Sequence, residues 1–259
     1  EVLVVDAGDA ADDGQADTYY VRQDADTLAV SVNGQETLSI SSDQATTLHL
    51  KGSSDNDILV ADLLASVHVV FDGGGGQDQL VLAETSTATD LDYTLHSTGD
   101  AQIEATDGTR SGTIHTTGVE QVRDAVDARQ RSFHLAGGGQ EATLRSDVSQ
   151  QGSLYWNASP DSLRDVTFAA PAETLSNHIA ASASDGYRLT LTRLDGPLAR
   201  RLSIFGSADD ALTFRGHINL GDAELVAATG SIVLDATTDA SLSDLQLEAL
   251  ESIRVEEGA

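Results

Sequence analysis

Four aspartates in residues 48–83 accompany two glycine-containing turns, and their side chains could bind a metal ion. Asp55 and Asp57 lie in the first turn, whereas Asp72 and Asp78 flank a run of four glycines in the second. A calcium ion takes six to eight oxygen ligands at about 2.3–2.6 Å, and glycines let a loop turn its carbonyls toward the ion. We therefore expect these four aspartates to form a calcium site.

The same residues also suit a turn that binds no metal. Glycine adopts backbone conformations that other residues avoid, and aspartate side chains accept hydrogen bonds from nearby backbone N–H groups. On this alternative the aspartates serve only the backbone of polar turns. The sequence leaves both interpretations open.

The two turns belong to a repeated unit of strand, turn and strand. Asp57 and Asp78 are 21 residues apart, and in the same register Leu50 falls on Phe71. A unit that recurs at a period near 20 residues cannot bury its apolar face alone and must stack on the next copy. The spacing predicts a solenoid, in which residues about 20 positions apart along the chain become spatial neighbours.

Residues 73–81, Gly-Gly-Gly-Gly-Gln-Asp-Gln-Leu-Val, match every fixed position of the nonapeptide G-G-x-G-x-D-x-U-x. Residues 52–60 match it more loosely, because Ser53 and Asp55 replace glycines. The stretch from about 17 to 82, roughly a quarter of the chain, resembles the RTX (hemolysin-type) calcium-binding repeats of very large surface and secreted proteins of Gram-negative bacteria. The resemblance implies bound calcium and an extracellular or cell-surface location.

Charge and composition exclude several classes of partner. The 259 residues include 14 basic and 42 acidic side chains, giving a net charge of −28. Such a surface repels phosphate backbones, so we expect no nucleic-acid partner. No apolar run approaches the roughly 18 to 20 residues of a membrane helix, so we expect no membrane insertion. There is no cysteine, and therefore no disulfide framework.

The expected fold is all-β, an elongated parallel β-helix or β-solenoid with RTX-like loops. Aromatic residues make up only 4% of the chain, which favours a narrow core of stacked aliphatic side chains. Asn33-Gly34 is a strong hairpin signal and predicts an N-terminal β-hairpin, whereas residues 119–131 form the most plausible helix. We expect residues 1–259 to be one continuous solenoid section of a larger protein, with a subdivision into an RTX-like part, 1–136, and a β-helix part, 137–259.

The expected function is structural or adhesive, as a stiff rod in a secreted or surface-displayed bacterial protein. Its partners would be surface glycans or copies of itself. One alternative is a carbohydrate-active β-helix enzyme, but acidic pairs such as Asp209-Asp210 arise by chance among 42 carboxylates, and we predict no catalytic residue. Another is a self-assembling extracellular filament subunit. Trp156 could stack on a sugar or lie in the core.

Histidines recur at a shared interval of 19 residues in strand context. Because aliphatic neighbours alternate with them, we expect the histidines to face outward. A pH-sensitive or metal-binding face is the alternative. The residues concerned are His49, His68, His96, His115 and His134.

Overall fold

A computed structural model of the chain describes residues 2–6, 14–24, 26–63, 67–83, 87–96, 100–136, 141–146, 151–156, 165–179, 186–195, 198–235 and 237–256. These residues are all-β, with 21 strands and a single 3-10 turn at Ser42–Gln44. The first strands are β1 (Val2–Asp6), β2 (Thr18–Asp24), β3 (Thr27–Val32), β4 (Gln35–Ser41), β5 (Thr47–Lys51), β6 (Ile58–Ala61), β7 (His68–Asp72), β8 (Gln79–Leu82), β9 (Thr87–His96), β10 (Ala101–Thr106), β11 (Ser111–Thr117) and β12 (Gln121–Asp124). The remaining strands are β13 (Asp127–Ala136), β14 (Glu141–Ser146), β15 (Gln151–Trp156), β16 (Asp165–Ala169), β17 (Thr174–Ile179), β18 (Arg188–Asp195), β19 (Arg201–Phe205), β20 (Ala211–Leu234) and β21 (Asp239–Val255).

The chain divides into two compact units. Unit 1 comprises Glu1–Tyr93, Thr98–Asp127 and Ala158–Val166. Unit 2 comprises Thr94–Ser97, Ala128–Asn157 and Thr167–Ala259. Each unit is described by itself below.

Unit 1 contains two series of parallel strands. The first series is β1, β5, β7 and β11, and the second is β2, β6, β8 and β12. In the first series Leu50 pairs with Phe71, as the 21-residue spacing predicts, and Phe71 pairs in turn with Thr116. All three side chains are fully buried. Side chains from successive strands therefore stack in columns, and apolar burial stabilises each column.

The second series shows the same alternation. Tyr19, Leu59, Leu80 and Val122 occupy equivalent positions in the four strands and are buried. Their chain neighbours face outward, because successive side chains of a strand point to opposite faces.

Antiparallel strands are inserted into these series. β2 pairs with β3 and β3 with β4, so the predicted N-terminal hairpin is confirmed. Asn33 and Gly34 have φ angles of 52° and 78°, the positive values that a two-residue hairpin turn requires. β10 and β11 also pair in antiparallel fashion.

Unit 2 repeats the parallel arrangement with other residues. β17, β19 and β20 pair in parallel, which places Leu175, Leu202 and Leu225 in one buried column. β14, β18 and β20 form a further series, and β20 pairs with β21. Here too one face of β14, β17, β18, β19 and β20 is buried, whereas β21 exposes Leu250 and Val255.

The helix predicted over residues 119–131 is wrong. This stretch forms β12 and the beginning of β13. Val122 pairs with Leu80 and is buried, so a partner 42 residues earlier in the chain decides its conformation. Pairing between distant strands overrides the local helical pattern in this segment.

Candidate functional site: a column of buried carboxylates

Two of the four predicted calcium ligands lie in the core of unit 1. Asp57 and Asp78 immediately precede β6 and β8, and their exposed fractions are 0% and 1%. Asp55 is half-buried within the first turn, and Asp72 is exposed at the end of β7. The sequence therefore contains two deeply buried carboxylates in stacked turns, a placement that requires strong compensating contacts.

These two aspartates belong to a column of four carboxylates that precede the strands of the second parallel series. The backbone N–H of Asp17 donates to Asp57 Oδ1 over 3.0 Å, and the N–H of Asp57 donates to Asp78 Oδ1 over 2.7 Å. The N–H of Asp78 donates to Glu120 Oε2 over 2.6 Å. The carboxylates of Asp57, Asp78 and Glu120 thus each satisfy a buried backbone donor at the start of the strand stacked beside them.

Asp57 also closes its own turn. Its Oδ2 accepts a hydrogen bond from the backbone N–H of Ser53 at 2.6 Å and one from the Ser53 hydroxyl at 3.1 Å. Both carboxylate oxygens of Asp57 are therefore occupied by donors within the protein. This is the backbone role that the metal-free interpretation of the sequence expects.

Glycines make room for the buried carboxylates. A Cβ atom on Gly52 would lie 2.6 Å from Asp57 Oδ2, and one on Gly73 would lie 2.5 Å from Asp78 Oδ2. No real side chain tolerates such distances without a shift of its neighbours. The glycine that begins each turn is therefore packed against both the aspartate that ends the turn and a backbone carbonyl of a neighbouring turn, that of Gly73 for Gly52 and that of Gly118 for Gly73.

The pKa of Asp78 is raised to about 7, mainly by burial and in part by the charges of Glu120, Asp57 and Asp72, while the hydrogen bond from the Asp57 N–H opposes the rise. Burial also raises the pKa of Asp57, although hydrogen bonds from Ser53 and Asp17 oppose the shift. Like charges in one column and removal from water both disfavour the ionised form. Asp57 and Asp78 therefore resist ionisation in the folded state.

Two oxygens of the column could accept a ligand. Asp17 Oδ2 and Asp78 Oδ2 are buried, and neither has a hydrogen-bond partner among the described residues. The other two predicted ligands already accept hydrogen bonds within the protein. Asp55 Oδ2 accepts one from the Gly14 N–H at 2.9 Å, and Asp72 Oδ1 accepts one from Thr117 Oγ1 at 3.3 Å. Within the described ranges no group of three or more histidine, cysteine, aspartate or glutamate side chains has the arrangement of a metal site. The calcium site stays a prediction, and its shell would need backbone carbonyls or water beside Asp78.

The sequence did not identify Asp17 and Glu120 as members of the column. Asp17 lies 40 residues before Asp57, and Glu120 lies 42 residues after Asp78, because strands are inserted at both steps. The available signal is local: each carboxylate stands directly before a strand whose second residue is buried. Asn33 in the hairpin turn also contacts the column, since its Nδ2 donates to Asp17 Oδ1 at 2.5 Å.

Unit 2 contains one turn of the same design. The carboxylate of Asp210 accepts from the Tyr187 N–H at 2.8 Å, the Ser207 N–H at 2.5 Å and the Ser207 hydroxyl at 2.7 Å. The turn from Gly206 to Asp210 thus repeats the bonding of the turn from Gly52 to Asp57 with one residue fewer. A turn that begins with glycine and ends with aspartate therefore joins stacked strands at two different lengths.

The histidines occupy outward positions, as predicted, but they do not form the expected series. His49 and His115 both pair with Val70, whereas His68 pairs with Thr47 and Thr113. In unit 2 the ring of His134 stacks instead on His178, with centroids 4.8 Å apart, and His178 stacks on Phe205 at 5.2 Å. The interval of 19 residues therefore does not correspond to the strand register. Trp156 ends β15, and its side chain lies outside the described part of the structure.

Comparisons with known proteins give no relative: no family model, no curated protein and no solved structure matches this chain. Among the described residues, no helix has the length and hydrophobicity needed to cross a membrane.

Proposed function

We propose that the chain is a structural or adhesive section of a secreted or surface-displayed bacterial protein, in which each unit is a parallel β-solenoid. The observation that carries this proposal is the parallel register of unit 1. Leu48 and Leu50 of β5 pair with Val69 and Phe71 of β7, and all four side chains are buried. Stacked strands of this kind make stability a sum of contacts between neighbours, which suits a stiff supporting element.

The carboxylate column supports the same function. Three hydrogen bonds from backbone N–H groups to carboxylates tie the start of one strand to the start of the next, so the column links Asp17, Asp57, Asp78 and Glu120 across four stacked strands. In a protein with RTX-like loops, calcium would strengthen these links between strands by neutralising the stacked carboxylates. The net charge of −28 fits an acidic extracellular protein that self-repulsion keeps soluble.

Single-molecule stretching of the full chain tests the structural role. We expect resolvable rupture events, because stacked coils must be separated one contact layer at a time. Leu50→Ala removes a fully buried side chain at the centre of a column and should lower the rupture force, since such a change costs about 2–5 kcal/mol. His49→Ala is the matched control on the outward face of the same strand and should leave the force unchanged.

A chain that extends without any rupture event would contradict the structural function. Equal effects of Leu50→Ala and His49→Ala would contradict the assignment of the columns as the source of mechanical resistance.

A further inference from the structure

We propose that the outer face of the β2–β3–β4 sheet in unit 1 binds a neutral carbohydrate in a groove centred on Tyr20. The inference deepens the adhesive part of the proposed function, which requires a surface that recognises a ligand. The groove has a volume of about 470 Å³, within the usual range of small-ligand sites.

The register of the three strands builds this groove. Tyr20 of β2 pairs with Ser31 of β3, and Ser31 pairs with Glu36 of β4. In the next row Arg22 pairs with Ala29. Small side chains on the central strand therefore form the floor, while Tyr20 and Arg22 form one wall and Glu36 forms the other.

The groups on these walls are available to a ligand. Tyr20 is 45% exposed, although the residues on either side of it in β2 are buried in the core. The side chains of Tyr20, Arg22 and Glu36 form no hydrogen bond or ion pair with any residue in the described part of the chain. An exposed aromatic ring, a free donor and a free acceptor therefore line the same groove.

The chemistry of the three groups selects a sugar. The face of the Tyr20 ring can pack on the C–H face of a pyranose, as aromatic rings pack on other apolar surfaces. The Arg22 guanidinium donates hydrogen bonds and the Glu36 carboxylate accepts them, which matches hydroxyl groups that do both. One hydroxyl-rich ring thus satisfies every unused group in the groove.

Charge selects a neutral sugar over an acidic one. Arg22 and Glu36 cancel within the groove, and the remainder of the protein gives the net charge of −28. An anionic sugar would enter this field at a cost, whereas a neutral one would not.

Titration of the isotopically labelled full chain with methyl β-glucoside, methyl β-galactoside, N-acetylglucosamine and lactose tests the proposal. We expect at least one of these sugars to give saturable NMR shifts at the amides of Tyr20, Ser31 and Glu36. The dissociation constant should be on the order of 1 mM, as expected for a small ligand with few contacts.

Three variants distinguish recognition by Tyr20 from nonspecific association. Tyr20→Ala should weaken binding by about tenfold or more, and Tyr20→Phe, which keeps the ring, should stay within about threefold. Phe205→Ala removes another exposed aromatic ring, in unit 2, and should leave the affinity unchanged. Urea unfolding of the same samples reports whether the stacked fold is intact.

The proposal is overturned if none of the four sugars gives saturable shifts up to about 20 mM, since that range covers millimolar affinities. It is also overturned if Tyr20→Ala binds like the wild type, or if only galacturonic acid or an extended peptide added along β4 shifts these amides. If the protein unfolds cooperatively but binds no sugar, the sugar-binding proposal is rejected and the proposed structural function is unaffected.

Discussion

At the scale of single residues, the carboxylate of Asp78 meets two opposing demands. Its Oδ1 accepts the buried N–H of Asp57, which needs an acceptor. Its position beside Glu120 and away from water disfavours the negative charge, so its pKa rises from 3.8 to about 7. An amide at this position would keep the acceptor and remove the charge.

We therefore predict that the stability of the chain depends on pH through Asp78. The folded state binds this proton more tightly than the unfolded state, so the contribution is fully present below about pH 3.8 and is lost as the pH rises through about 7. The difference corresponds to the order of 4 kcal/mol in the free energy of unfolding. Urea unfolding without calcium across this range measures it.

Asp78→Asn is the variant that isolates this effect. It should raise the free energy of unfolding at about pH 8 and flatten the pH dependence between 4 and 7. Lower stability of Asp78→Asn at about pH 8, with an unchanged pH profile, would show that the charge itself stabilises the column.

Glycine substitutions within one turn give a second prediction at this scale. Gly73→Ala should lower the free energy of unfolding by roughly 1–3 kcal/mol, because the added Cβ would clash with the Gly118 carbonyl oxygen and lie 2.5 Å from Asp78 Oδ2. Gly75→Ala is the matched control two residues away, where the nearest atom to an added Cβ is 3.6 Å distant. Equal stabilities of the two variants in urea would contradict close packing around Gly73.

At the scale of the strand, the position of a residue in the stacked strands decides how much its side chain contributes to the free energy of unfolding. Asn177 lies on the inward face of β17, paired with Phe133 on one side and Ile204 on the other. Its side chain is fully buried, and both amide atoms lack hydrogen-bond partners among the described residues. A buried polar group without partners destabilises the folded state.

We predict that Asn177→Leu raises the free energy of unfolding by about 1–3 kcal/mol, since an apolar side chain of similar size replaces the unsatisfied amide. Ser176→Ala, at the neighbouring outward position, should change it by less than about 0.5 kcal/mol. Chemical denaturation measures both. A destabilised Asn177→Leu would instead indicate that the amide has a functional partner such as an internal water molecule.

At the scale of the whole molecule, the predicted calcium site makes thermal stability depend on calcium. If calcium binds beside Asp78, it should raise the thermal midpoint of the wild type. At about 100 times its dissociation constant, a ligand specific to the folded state adds about 2.7 kcal/mol. Asp57→Ala and Asp78→Ala should lose this shift, whereas Asp222→Ala, an exposed position in unit 2, should keep it.

The comparison must use the shift with and without calcium in each variant, because Asp57→Ala and Asp78→Ala also remove hydrogen-bond acceptors from the core. If calcium leaves the thermal midpoint of the wild type unchanged, the predicted calcium site is rejected. The carboxylates would then serve only as acceptors for backbone N–H groups.

Much of unit 1 follows from short-range patterns. The alternation of buried and outward residues fixes the strands, and the 21-residue repeat fixes the pairing of Leu50 with Phe71. Asn33-Gly34 fixes the hairpin, because few residue pairs adopt two consecutive positive φ angles at low cost. These features are local, so the sequence alone determines them.

Membership of the carboxylate column and the conformation of residues 119–131 were decided only by tertiary structure. Asp17 and Glu120 lie 40 and 42 residues from their partners, about twice the 21-residue separation of Asp57 and Asp78, because inserted strands intervene at both steps. Likewise Val122 becomes part of a strand because Leu80 lies beside it. Hydrogen bonds between distant strands supply the deciding free energy, and that term does not exist until the chain has folded.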